Sequence, residues 1–140
     1  MTNSTEISRD NLYRQFADML AKVGGAYHRA ADIPFAAEAI ENVMGGSDAP
    51  LWTAPMVRDA LPALLDTLEG AGVRLRYPTS AAEVRDQAFG LSVARQAIAE
   101  TGSVVLVERE LADRSVGLIT DTHIVLCPLD ALAPSLDDAG

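Results

Sequence analysis

Apolar positions along this chain alternate between helical and strand-like spacing. From Ser8 to Val23, the residues Leu12, Phe16, Met19, Leu20 and Val23 form one stripe of an amphipathic helix. Ser8 is the expected N-cap, Asp10 suits the positive helix end, and Gly24-Gly25 stops the segment. Ala26–Ala30 reads as a short edge strand. Asp32 is the next expected N-cap, with Pro34 in the first turn, an apolar face of Ala36, Ala37, Ile40, Val43 and Met44, and a stop at Gly45-Gly46. Pro50–Ala54 is a strand. Val57, Leu61, Leu64, Leu65 and Leu68 return to helical spacing, but Pro62 divides them into two pieces or a kinked one. After Gly70-Ala-Gly72, Val73–Tyr77 alternates as a half-buried strand. Ser80-Ala-Ala-Glu83 is a capping box opening a helix to about Asp86.

From Ala88 the texture changes. Ala88–Val93, Ser103–Glu108, Ser115–Ile119 and His123–Cys127 read as strands. The gap between the second and third is too short for a crossover helix, so those two are expected to pair as a hairpin or meander. Pro128 and Pro134 punctuate two short terminal turns or helices. The expected architecture is a mixed sheet, parallel in its first half and with antiparallel pairs near the end. Val104, Leu106, Leu118, Ile124 and Leu126 are its expected core. With no repeat or linker in 140 residues, one domain spanning 1–140 is expected.

Composition narrows the function classes. Hydrophobic residues make up 49% of the chain, enough for a folded core rather than a disordered state. Asp plus Glu number 20 against 11 Lys plus Arg, a net charge of −9. That balance opposes nucleic-acid backbone binding and docking on anionic lipid, while leaving room for a local basic pocket. The amino terminus has no signal-peptide pattern, and no stretch is apolar enough to span a bilayer. A cytoplasmic protein is expected. The single cysteine, Cys127, excludes an internal disulfide or a Cys-x-x-Cys site and reads as a buried apolar residue. His28 and His123 show no metal-ligand spacing, so no metal or cofactor is expected. Gly24-Gly25 is no dinucleotide fingerprint. Trp52 reads equally as core or as pocket lining. Arg109 and Arg114 read as solvated loop ends, and Asp130, Asp137 and Asp138 as solvated surface.

The most distinctive string is Gln96-Ala-Ile-Ala-Glu100-Thr-Gly-Ser103. Gly102 permits a sharp turn, amides from Thr101 to Ser103 could converge on an anion, and Glu100 could act as base, nucleophile or ligand. A Glu beside a helix-to-strand turn is also commonplace structure. Ala97 to Leu106, with His123-Ile-Val-Leu126 and the ending Leu129 to Ala139, resembles the signature of the LUD domain of LutC-type lactate utilization proteins. The likeness covers about 88–139 well and the upstream segments loosely. Gly90 and Ser92 match a further family string, whereas Val93 and Arg95 stand where a Gly and an acidic residue are usual.

The resemblance implies a NagB/RpiA/CoA-transferase-like fold, a three-layer α/β/α Rossmann-like sandwich. It implies a LutC-like component of L-lactate oxidation to pyruvate, a non-redox binding or accessory subunit beside iron–sulfur partners of the LutA and LutB type. One cysteine cannot hold an iron–sulfur cluster on its own thiolates. Two alternatives stay open. One is a CoA-transferase or sugar-phosphate enzyme with Glu100 catalytic. The other is a ligand-sensing or interaction module. Thr101, Gly102, Ser103, Ser92, Arg95 and His123 are the expected contacts of a small anionic ligand at the strand ends.

Overall fold

The computed structural model describes residues 4–106, 116 and 120–134. Its elements are α1 (Ser4–Lys22), α2 (Ile33–Met44), β1 (Leu51–Thr53), α3 (Pro55–Ala60), α4 (Pro62–Gly70), β2 (Leu75–Arg76), α5 (Ala81–Val84), β3 (Phe89–Ile98), β4 (Ser103–Leu106), β5 (Thr122–Leu126), a 3-10 turn (Leu129–Ala131) and β6 (Leu132–Ala133). These strands form a mixed six-stranded sheet in an α/β fold, consistent with the Rossmann-like sandwich expected. By contact, the chain divides into two compact units.

The first unit comprises His28–Val93 and Val107–Leu126. Its sheet is parallel throughout, in the order β2, β1, first half of β3, β5. Asp32 caps α2 by accepting from the Phe35 amide at 3.0 Å, and Gly45 ends it at φ 63°. Pro62 does split the next helical stretch, since each of α3 and α4 begins on a proline that has no N–H to lose in a first turn. Leu51, Leu64, Leu68 and Leu91 are 0% exposed at the centre of the core. The two helices α2 and α4 pack on each other, which explains why their apolar faces are the cleanest periodicities in the sequence.

The second unit comprises Met1–Tyr27, Ala94–Leu106 and Cys127–Gly140. The second half of β3 pairs antiparallel with β4 and parallel with β6. Phe16 of α1 is buried with Ala97 and Ala99, and its ring meets Tyr27 edge-on at 5.8 Å. Gly24 and Gly25 donate to Ala21 O and Leu20 O, the crossed pair of bonds that closes a helix through a left-handed glycine.

Several expectations change. Helix α1 begins by Ser4, so Ser8 lies inside it rather than capping it. Ala26–Ala30 is not a strand, and no described strand pairs with it. Strand β3 runs to Ile98, so the Glu100 turn joins two strands and not a helix to a strand. Among the described strands only β3 and β4 are antiparallel, a four-residue turn joining them; β5 and β6 lie parallel to β3. Val104, Leu106, Ile124 and Leu126 are half-buried rather than fully buried; among the described residues β4 and β5 each pair with β3 alone. Val116 is helical and fully buried, which removes the strand expected over Ser115–Ile119 at that residue. Leu118, Arg109, Arg114, Asp137, Asp138 and the hairpin partner of β4 lie outside the described residues.

Candidate functional site

In the parallel unit, register decides which side chains meet. Trp52 pairs with both Arg76 and Gly90, and Gly90 pairs with His123. Residues paired across parallel strands share a face, and alternate residues return to it, so Arg76, Trp52, Gly90, Ser92 and His123 share one side of the sheet. His123 Nε2 and Ser92 Oγ share a hydrogen bond of 2.8 Å. Ser92 is 4% exposed and His123 is half-buried. The sequence named both residues, and the fold brings them together. A hydroxyl and an imidazole at this distance can pass a proton or jointly hold an oxygen of a ligand.

Gly90 has a physical reason to be glycine. A Cβ there would meet Thr120 Oγ1 at 2.5 Å and Val116 O at 2.7 Å. Val116 and Thr120 therefore sit directly on the strand at Gly90, which pairs with His123. Thr120 Oγ1 also donates to Val116 O at 2.7 Å.

The other expected site residues lie in the second unit. Glu100, Thr101 and Ser103 are exposed, while Gly102 is buried at φ 70°. A Cβ on Gly102 would approach Leu20 N at 2.6 Å and Met19 C at 2.7 Å, so this glycine lets the turn lie against the α1 backbone. The Gly102 amide donates to Ile98 O at 2.9 Å, and the Glu100 amide to Pro134 O at 3.0 Å. These donors are thus committed to the turn and to the chain after β6. Arg95 is exposed at a β-bulge: Ala94 faces Leu106 and Gln96 faces Val105, leaving Arg95 as the extra residue.

Cys127 is half-buried beside this unit's core, and burial pushes its thiol up to about 11. It is a packing residue, as the sequence suggested, with little thiolate at neutral pH. Among the described residues no cluster of three His, Cys, Asp or Glu could hold a metal, and no helix is long and apolar enough to cross a membrane. His28 and Asp130 are exposed.

The sequence reading missed an open cleft of about 700 Å³ in the parallel unit, running along β2. Trp52, Glu69, Arg74, Arg76, Tyr77 and Glu83 line it. Trp52 serves as both core and lining: it is 7% exposed, and its indole N–H donates to Gln87 Oε1 at 3.0 Å. The Arg58 guanidinium lies 4.4 Å from the Tyr77 ring centre. Burial raises the Tyr77 hydroxyl above its ordinary pKa, partly opposed by Arg58. Glu83 accepts from the Thr79 hydroxyl, the Thr79 amide at 2.8 Å and the Ser80 amide at 3.1 Å. The Thr79 hydrogen bonds hold its carboxyl below the usual range. The available signal was Arg74-Leu-Arg76, two cations two residues apart in an acidic chain.

Three comparisons bear on this geometry. The family model described as LUD domain matches residues 13–140. A crystal structure of a DUF162 family protein from Deinococcus radiodurans is similar, at 28% identity and a TM-score of 0.72, over 94% of this chain and 77% of that one. No curated protein matches.

Proposed function

The chain belongs to the LUD domain family, which supports a lactate-utilization-related role at the level of the family, and within it we propose a LutC-like part. In this reading the protein is a non-redox binding and accessory subunit in the oxidation of L-lactate to pyruvate. It works in the cytoplasm, as one domain over 1–140, beside iron–sulfur proteins of the LutA and LutB type that carry the electrons.

The observation that carries the reading is the Ser92–His123 pair. A small 2-hydroxy or 2-oxo acid offers one oxygen that can donate or accept and a carboxylate. A buried hydroxyl beside a half-buried imidazole matches the first, and protonation of the imidazole would favour the second. Glu100, with Thr101, Gly102, Ser103 and Arg95, is retained as a second set of ligand or partner contacts, with Glu100 the candidate should any covalent chemistry reside in this chain.

Two measurements test the proposal. The protein is used to capture the iron–sulfur partners from cells, and lactate oxidation is then assayed in the reconstituted mixture with and without it. Capture of those partners together with a rise in rate supports the reading; consistent absence of both overturns it. In parallel, amide signals of 90–93, 100–103 and 122–125 are followed during titration with lactate, pyruvate, coenzyme A and phosphate. Shifts with lactate or pyruvate that Ser92→Ala abolishes support the pair as the site. Acyl-CoA turnover lost in Glu100→Gln would instead favour the transferase alternative.

A further inference from the structure

We propose that the cleft along β2 binds a nucleotide-class ligand, with its phosphate on Arg74 and Arg76 and its sugar or base toward Glu69, Glu83 and Tyr77. The proposal is independent of the Ser92–His123 reading. The cleft volume of about 700 Å³ falls in the range of roughly 300–1,000 Å³ typical of small-molecule sites, far more than a three-carbon acid needs.

The lining chemistry points the same way. Arg76 lies on β2 and Arg74 immediately before it, and both line the cleft. Planar guanidinium groups match phosphate oxygens in bidentate fashion, and both side chains are exposed. Arg74 also donates to the backbone carbonyl of Asp48, which tethers its guanidinium. In a chain with 20 acidic and 11 basic residues, the two arginines give this cleft a cationic side that balances its two carboxylates.

The same cleft carries Glu69 and Glu83, which would repel a simple anion. Glu83 is held in place by Thr79 and Ser80 and can accept a further hydrogen bond on its remaining lone pairs. A ligand with an anionic end and a donor-rich end satisfies both sets at once. A nucleotide has that character: phosphate for the arginines, ribose hydroxyls or an exocyclic amine for the carboxylates, and a flat ring to lie by Tyr77.

Trp52, the sole tryptophan, lines the cleft and reports on it. The intact protein is titrated with AMP while Trp52 fluorescence and the amide signals of 72–77 are followed, alongside adenosine, ribose 5-phosphate and inorganic phosphate. The expected result is saturable binding of AMP, weaker binding of adenosine and of ribose 5-phosphate, and a loss of about tenfold or more in Arg76→Ala, as for a lost charge-assisted hydrogen bond. Arg76 is exposed, so the variant should keep the parent's circular dichroism and melting temperature. If neither signal changes with AMP at millimolar concentration, if inorganic phosphate competes as well as AMP, or if folded Arg76→Ala binds AMP unchanged, the proposal is wrong. Lactate and pyruvate should leave 72–77 unmoved, which separates failure here from failure at Ser92–His123.

Discussion

The two halves of β3 live in different surroundings. Phe89–Val93 lies between β1 and β5, parallel to both, and Leu91, Ser92 and Val93 are buried in succession. Continuous burial is what a strand covered on both faces shows. Ala94–Ile98 lies between an antiparallel β4 and a parallel β6, carries a bulge, and turns Arg95 out to solvent. The conspicuous motif, Glu100-Thr-Gly102, follows the second half, with Glu100 and Thr101 exposed and Gly102 lying against the α1 backbone. The hydrogen-bonded pair of Ser92 and His123 joins the first half to β5; separate strings of the sequence named each residue, and only the register brings them together. Motif and site geometry are therefore separable in this chain.

The strongest break of the comparison is in the parallel unit's core. Leu68→Ala should cost about 2–5 kcal/mol, because Leu68 is fully buried, whereas Leu126→Ala on half-buried β5 should cost clearly less. Urea unfolding of the two variants checks the order. In the hairpin unit, Gly102→Ala combines a left-handed φ with a clash against backbone atoms of Met19 and Leu20. It should cost about 2–4 kcal/mol. Gly45→Ala, also left-handed but with open space around the new methyl, should cost about 1 kcal/mol. Equal losses would remove the packing role assigned to Gly102.

Smaller effects sharpen the contrast between pair and motif. Ser92→Ala deletes a buried hydrogen bond and should cost about 1 kcal/mol, with a change in the His123 ring signals. Thr101→Ala, exposed in the turn, should stay within about 0.5 kcal/mol of the parent. The smallest effect concerns pH. The Glu83 carboxyl is held below its ordinary pKa, so its contribution is present above the unfolded value of about 4.3 and is lost as pH falls through the lower folded value. Between about pH 5 and 3 the parent should therefore lose slightly more melting temperature than Glu83→Gln does. Identical acid curves would show that the capping box adds nothing in solution.

Much of the local structure was legible in the order of residues. The Asp32 cap, the Gly45 stop, the Pro62 break and the Ser80–Glu83 box all reside within one or two turns of chain, where a few side chains and fixed backbone angles decide the outcome. The LUD resemblance was likewise carried by contiguous strings. Other features depended on partners distant in sequence. Ala26–Ala30 had strand character but no ladder among the described residues, and Val104, Leu106, Ile124 and Leu126 were apolar but placed on strands that pair, among the described residues, with β3 alone. The sequence string around Gly90 does not say why a glycine is needed there; Val116 and Thr120, resting on it, do. The Ser92–His123 bond spans 31 positions and exists only because β5 enters the sheet parallel to β3 in one register. Periodicity says which residues seek an interior. Hydrogen-bonded pairing across the sheet, a cooperative choice made by the whole chain, decided which of them meet.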